Sequence, residues 1–418
     1  MKIALVHNTY QQPGGEDRVF EQERRMLEGA GHEVTPFLRS NFAAEAYSGL
    51  RRLNLAAATV WSSESRTEFK QLLVREKPDV VHVHNTFMMI SPSIYSACRE
   101  AGIPVVQTLH NFRFLCPAAN FFRDGKVCEE CLEHTVWRGV RHGCYRKSRV
   151  ATATVAVMLE YHHRRKTWTD TVSYFIALSE FSRERFIAGG LPAERIVVKP
   201  NFVDPDPGPG PQERTYAVFV GRFSPVERMR TVLSAWERLN NRIPLLIVGG
   251  GPERAEIEAE AVRRNLTAIR FAGVLPNPET IKIIQAARFL IFPSEWYENF
   301  PVTIAEAFAC ETPVICSALG SMKEIVTDHL TGLHFTPGDP ESLAETVAFA
   351  WDSPLQMREM GVAARREYLA RYTAETNYEQ LMSVYHRARH EGVQERSSTE
   401  LVPRPASPLY GILGTSRG

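Results

Sequence analysis

The chain has 418 residues, of which 44% are hydrophobic and 23% charged, the balance of a globular protein with material for two or three cores. Its 49 Lys and Arg nearly cancel its 48 Asp and Glu, so a global polyanion-binding role, nucleic acid included, has no support. No run approaches 18 uninterrupted apolar residues and the apolar start Ile3–Val6 is too short for a secretion signal, which predicts a cytoplasmic chain without a membrane span.

Lys2–His7 reads as a strand, followed by a glycine-containing loop and a helix from about Glu16 to Glu28, which Gly29 and Gly31 end. Further strands are expected at Val34–Leu38, Val80–His84 and Val105–Leu109, with a helix over Pro92–Glu100 between the last two. Tyr174–Leu178 and Ile196–Lys199 complete the first set. Short apolar strands alternating with longer amphipathic helices predict a parallel sheet with crossover helices. Asp204–Pro211 then packs four prolines and two glycines into eight residues, which neither a helix nor a central strand tolerates.

The pattern restarts after this linker. Strands are expected at Tyr216–Val220, Leu245–Val248, Ile269–Phe271, Phe289–Phe292 and Pro313–Cys316, with helices at Thr231–Leu239, Glu253–Arg264 and Pro301–Cys310. Helices Glu341–Trp351 and Gln356–Arg389 close the chain. The expected layout is an α/β protein with a first domain over 1–203, an insertion at 113–150, a linker at 204–211 and a second domain over 212–372. A crossover helix at 373–392 packs back on the first domain, and 393–418 forms a disordered tail. Two open α/β sheets place a ligand outside the carboxyl ends of their strands, in the cleft between the domains. At this level a two-domain dehydrogenase and a periplasmic-type binding protein fit equally well.

The segment Phe292-Pro-Ser-Glu-Trp-Tyr-Glu-Asn-Phe-Pro-Val-Thr-Ile-Ala-Glu-Ala307 narrows the choice. Seven residues separate Glu298 from Glu306, and the second lies on a helix that begins near Pro301. Ionised carboxylates accept strong hydrogen bonds from sugar and ribose hydroxyls. The segment resembles the E-x7-E motif of glycosyltransferase family 4, the retaining enzymes of GT-B fold. A bare spacing of two glutamates is equally a solvated helix face, but the Phe-Pro-Ser and Asn-Phe-Pro context favours the functional reading.

The resemblance implies two Rossmann-like domains facing across a cleft, with Glu298 holding a donor sugar and Glu306 a ribose. The helix start at Asn299, Phe300, Pro301 and Val302 would face a diphosphate with free N–H groups. It extends to Val220-Gly-Arg-Phe-Ser-Pro225, where Arg222 would grip phosphate as a bidentate cation. Val248-Gly-Gly-Gly-Pro252, Glu324-Ile-Val326 and Thr331-Gly-Leu333 match as well. In the first domain Gly14 and Gly15 resemble the family's glycine loop, which lets backbone N–H groups approach the diphosphate. His110, in Leu109-His110-Asn111 after a strand, would be a catalytic residue beside the donor sugar. The similarity spans roughly Lys2 to Ala388. No dinucleotide fingerprint G-x-G-x-x-G follows a strand, which disfavours an oxidoreductase.

Several positions depart from the pattern. Where the family reads Glu-Lys-Gly, this chain has Val226-Glu227-Arg228. A carboxylate at Glu227 about 4 Å from a phosphate oxygen costs about 4 kcal/mol at an effective dielectric of about 20, and Arg228 offers a replacement cation one residue on. Asn299, Glu311 and His329 stand where glycine is usual. A glutamate forced to positive φ at Glu311 is strained by about 1–3 kcal/mol.

Cys116, Cys128, Cys131 and Cys144, spaced C-x11-C-x2-C-x12-C inside the insertion, suit a structural zinc with four thiolates, or are four separate thiols or an oxidised pair. The surrounding cations Arg138, Arg141, Arg146, Lys147 and Arg149 and the apolar stretch Val150–Leu159 suit either peripheral contact with an anionic membrane or a buried helix with a solvated basic end. The functional expectation is transfer of a sugar from a nucleotide-diphosphate sugar to a hydroxyl acceptor, a glycan or lipid-linked glycan, in polysaccharide or glycoconjugate synthesis, with no catalytic cofactor. The alternative is a catalytically weakened homologue that binds a nucleotide sugar or a partner protein.

Overall fold

A computed structural model describes residues 1–10, 14–44, 50–223 and 227–400. The first sheet uses β1 (Lys2–Thr9), β2 (Glu33–Ser40), β3 (Val80–Val83) and β4 (Val105–Thr108). A small antiparallel hairpin follows, β5 (Phe122–Arg123) with β6 (Lys126–Val127). The sheet is then completed by β7 (Val172–Ala177) and β8 (Ile196–Val198), in the order β2-β1-β3-β4-β7-β8. The second sheet uses β9 (Ala217–Val220), β10 (Leu245–Val248), β11 (Ile269–Gly273), β12 (Phe289–Phe292), β13 (Val314–Ser317) and β14 (Gly332–Phe335), in the order β11-β10-β9-β12-β13-β14.

All pairs in both large sheets are parallel. The reason lies in the residues. Strands such as Val-Val-His-Val in β3 and Phe-Leu-Ile-Phe in β12 are buried along their whole length, as strands with helices on both faces must be. Strand order reverses between β1 and β3 in one sheet and between β9 and β12 in the other. Such reversals splay the following loops apart and open a crevice at the strand ends.

Sequence periodicity passed over several helices, among them Ser63–Glu76 and Glu180–Ala188, and a further helix, Arg149–Arg164, covers the apolar stretch Val150–Leu159. Each begins at a serine whose hydroxyl accepts an orphan backbone N–H: Ser62 from Ser65, Ser148 from Ala151, and Ser179 from Ser182. Of the apolar stretch in Arg149–Arg164, Val155, Met158 and Leu159 are buried while Val150 and Val157 remain exposed. No helix of the described residues is long and apolar enough to cross a membrane.

The helical stretch expected over Gln356–Arg389 consists of two helices, Pro354–Arg371 and Ala374–Glu400, which part where the crossover helix was expected to begin. Between them Tyr372 gives its carbonyl to the N–H of Val203, beside the linker. The last helix continues through 393–400, where a disordered tail was expected. Gln394, Glu395 and Arg396 are good helix formers, and the first proline after them is Pro403. The rest of the expected tail, 401–418, lies outside the described residues. This C-terminal helix lays Leu381, Val384, Tyr385 and Ala388 onto Ile3, Leu5, Val106 and Ile176 of the first sheet. Full burial of one such large apolar side chain contributes about 1.5–3 kcal/mol, so the helix is a structural part of the first domain.

The Pro/Gly linker is not a free hinge. Arg365 grips Asp206 through two bonds of 2.6 Å, and Gln285 Nε2 donates to the carbonyls of Pro207 and Gly208. Gly210 lies so close to the Gln285 carbonyl that a Cβ would sit 2.0 Å from that oxygen. These contacts strap the linker to the second domain.

Glu311 does take positive φ, +56°, after the helix Val302–Ala309. Its carbonyl is held by Arg214 Nη1 at 2.8 Å, so the backbone cannot relax. Glu311→Gly is expected to stabilise the fold by about 1 kcal/mol, a rise in Tm of roughly 2–4 °C by calorimetry. An unchanged or lower Tm would show that the strain is offset by chain entropy.

Candidate active site

The two crevices face each other and merge into one cleft of about 1080 Å³. From the first domain it is lined by the start of the helix Gly15–Gly29 and by His110. From the second it is lined by the loops after β9, β10 and β12. Two glycine turns let the second-domain loops close on each other. A Cβ on Gly249, at φ +137°, would lie 1.9 Å from the carbonyl oxygen of Gly221, so only glycine fits there.

The segment after β12 delivers the two glutamates. Glu298 lines the cleft, accepts a 3.1 Å bond from Ser294 Oγ, and is held by Ser321, whose hydroxyl donates to the Glu298 carbonyl at 2.6 Å. Burial raises the Glu298 carboxyl above its ordinary range, and the Arg228 charge opposes that shift. Glu306 sits one step behind the wall. Its Oε1 accepts from Asn277 Nδ2 and from Arg18 Nη1, each at 2.9 Å, and Arg18 and Asn277 are themselves cleft-lining. Arg18 comes from the first domain, so this ion pair spans the gap.

Arg228 is the cation one residue beyond Glu227. It is buried, lines the cleft, and leaves its Nε without a partner. Its guanidinium lies 4.7 Å over the Trp296 ring and donates to the carbonyl of Arg222. Burial pulls its pKa down to about 10, against the opposing charges of Glu298 and Glu295. Residues 224–226 and the Glu227 side chain lie outside the described residues. Arg222 reaches across the cleft, its Nη2 3.4 Å from where a Cβ of Gly14 would be.

Three expectations need correction. The Gly14 N–H does not wait for a diphosphate: it donates to Asp17 Oδ2 at 2.8 Å and caps its own helix, leaving Gly15 as the open glycine at the cleft. Asn299, which stands where glycine is usual, is not at positive φ; it lines the cleft, and its Oδ1 has no partner. Its Nδ2 donates to the Leu109 carbonyl at 3.2 Å, tying the Glu298 loop to the first domain. Phe300, Pro301 and Val302 do line the cleft, and Pro301, as N-cap of Val302–Ala309, supplies no side-chain oxygen to the first turn.

The third correction concerns zinc. Four thiolates at about 2.3 Å from one ion stand about 3.8 Å apart. Among the described residues only Glu23, His82 and His84 bring three ligand atoms within 4.8 Å of one another, so Cys116, Cys128, Cys131 and Cys144 cluster near one another without three of their sulfurs reaching that spacing. All four are free thiols. Burial, then the neighbouring Cys116, pushes Cys131 up to about 12, and its Sγ turns 4.0 Å from the Val136 carbonyl. The insertion instead contributes rings. Phe121 and Phe122 meet Tyr297 and Trp296 edge-on, bracing the loop that carries Glu298.

Sequence reasoning missed Arg18, Glu16 and His84. Glu16 lines the cleft, accepts from Tyr10 Oη at 2.9 Å and Asn111 Nδ2 at 3.3 Å, and burial raises its carboxyl to about 7. Its place on the first turn after the glycine pair was the available signal.

Residues 13–207 match the family described as Glycosyltransferase Family 4, and residues 204–367 match Glycosyl transferases group 1. The chain belongs to glycosyltransferase family 4. This family-4 chain is 29% identical over 172 residues to the O-antigen chain mannosyltransferase C of Escherichia coli, a match spanning 41% of the chain and 46% of that relative. In fold it is similar to a sucrose-phosphate synthase from Thermosynechococcus elongatus, with TM-score 0.68 at 18% identity over 95% and 99% of the two chains. It is likewise similar to Anabaena Alr3699/HepE, solved in complex with UDP, with TM-score 0.63 at 19% identity over 92% and 99%. The GT-B architecture of two facing Rossmann-like domains is thereby shared across family 4 and this chain.

Proposed function

We propose that this chain transfers a sugar from a nucleoside-diphosphate donor to a hydroxyl acceptor in the synthesis of a polysaccharide or glycoconjugate. The observation that carries the reading is the convergence of Arg228, Glu298 and the N-terminus of Val302–Ala309 on one cleft at the carboxyl ends of both sheets. Negative charge grows on the diphosphate as the glycosidic bond breaks. Arg222, Arg228 and the first-turn N–H groups of Val302 and Thr303 are placed to stabilise it. Glu298 accepts from donor-sugar hydroxyls, while Glu306, joined to Arg18, holds the ribose side. The acceptor enters from the first domain, past Glu16 and His110, and attacks from the face the leaving group departs, which retains the anomeric configuration.

The Anabaena structure with bound UDP supports uridine as the first base to try. The test is a panel of UDP-, GDP- and ADP-sugars, read first by thermal shift and then by transfer to hydroxyl acceptors with the product anomer assigned by NMR. One donor is expected to raise Tm and to give a product of unchanged configuration. Binding without transfer or donor hydrolysis would instead establish the binding-only homologue, and an inverted product would remove the retaining step.

A further inference from the structure

His110 is not an isolated cleft residue. Its Nε2 lies 2.9 Å from Nδ1 of His84, the first residue after β3, and the two rings stack with centroids 5.1 Å apart. His84 is buried, and its Nε2 lies 3.4 Å from Oε1 of Glu23, a close contact in which neither atom has a hydrogen-bond partner. Glu23, on the helix Gly15–Gly29, is also buried. Its Oε1 is 3.0 Å from His82 Nδ1 and its Oε2 3.3 Å from Lys199 Nζ. Lys199 donates in turn to Asn377 Oδ1 at 2.9 Å, and His82 is engaged by Thr108 and Tyr385. Glu23, His82 and His84 have the mutual spacing of metal ligands, but Lys199 already supplies the positive charge a cation would bring.

Proton positions follow from this chain of contacts. Burial opposes ionisation of Glu23, but Lys199 and His82 outweigh it and hold the carboxyl well below its usual range, so it is an anion that only accepts. An unprotonated His84 Nε2 facing it would set lone pair against lone pair in a dry interior. The His84 Nε2 therefore carries the hydrogen. Burial, with the neighbouring His82, lowers the His84 pKa to about 3, so the ring is neutral and its Nδ1 is an acceptor. His110, also kept neutral by burial, must then donate from Nε2.

We propose that Glu23 is a positioning residue: through His84 it fixes His110 as the Nε2–H tautomer and leaves Nδ1 of His110 as a bare hydrogen-bond acceptor at the cleft. This rests on the reading of His110 as the residue facing the donor sugar. It adds a specificity to that reading, because the sugar must present a hydroxyl, a donor, toward Nδ1.

The test is nitrogen-15 NMR of His110 in the full chain, assigned with His110→Gln, together with steady-state kinetics. The wild type is expected to show Nε2 protonated and Nδ1 free. Glu23→Gln, whose amide can present either an oxygen or an N–H to His84, is expected to mix the tautomers and lower kcat at least tenfold with little change in donor KM. Glu23→Asp, which restores the anion, is expected to recover the wild-type tautomer. A wild-type His110 protonated on Nδ1 or on both nitrogens overturns the proposal, even if Glu23→Gln does not fold. So does a Glu23→Gln protein with unaltered tautomer and kcat. The NMR readout does not depend on turnover, so a chain without transferase activity would remove the functional reading and leave the tautomer result standing.

Discussion

Arg228→Met is expected to lower kcat by about a hundred- to a thousandfold while leaving the protein folded. The side chain is buried with its Nε unpartnered beside the cleft, so it is a desolvated cation with spare hydrogen-bonding capacity. Donors that act on charge developing in the transition state contribute about 2.7–4 kcal/mol each in dry sites, which sets the magnitude. Methionine keeps an apolar chain of similar reach while removing the guanidinium that lies over Phe219 and Trp296. Arg228→Lys should recover only part of the rate, because a lysine loses both the planar contact with Trp296 and the bond to the Arg222 carbonyl. Steady-state kinetics with the donor found by the panel checks this. A loss below tenfold in Arg228→Met would mean that the diphosphate is held elsewhere.

The two glutamates are expected to separate by ligand. Glu306→Gln should weaken free nucleoside diphosphate and intact donor alike, by about 10–150-fold, the value of a charged hydrogen bond worth about 1.5–3 kcal/mol. Glu298→Gln should weaken the intact donor and lower kcat while leaving the free nucleoside diphosphate nearly unaffected. The difference follows from position. Glu298 lines the central cleft, whereas Glu306 lies behind Arg18 and Asn277 at its side. Because Arg18 binds the same Glu306 oxygen as Asn277, Arg18→Ala serves as the control for mere loss of the cross-domain ion pair. Isothermal titration with the nucleotide and with the nucleotide sugar distinguishes the cases. Equal losses with both ligands for both variants would dissolve the assignment of sugar to one glutamate and ribose to the other.

The sheets were legible because parallel strands buried on both faces read as short apolar runs: β1, β3, β4, β9, β10 and β12 all lie within the stretches expected of them, give or take two residues. β14 was not, since Gly-Leu-His-Phe is short and mixed, and its pairing with β13 depends on a glycine whose Cβ would strike the Val314 carbonyl. Helices begun by a serine cap and carrying a weak apolar stripe, such as Glu180–Ala188, were missed for the same lack of period. In the site, the resemblance of local motifs to family 4 pointed to Glu298, Glu306 and Arg222. It could not expose Arg18 against Glu306, or His84 against Glu23 and His110, because those pairs exist only once distant segments meet. The cysteine spacing pointed to the cluster of four thiols but not to its width, because intervals along the chain do not say how far apart the sulfurs end in space.

The C-terminal helix gives the molecule an order of events during synthesis. Lys199 waits 178 residues for Asn377, and the apolar face of Ile3, Leu5, Val106 and Ile176 waits longer still for Leu381 and Tyr385. At roughly 5–20 residues per second on the ribosome, that is roughly ten to forty seconds. Through that interval the nascent first half holds an uncovered greasy surface, which closes only once the helix Ala374–Glu400 has been made.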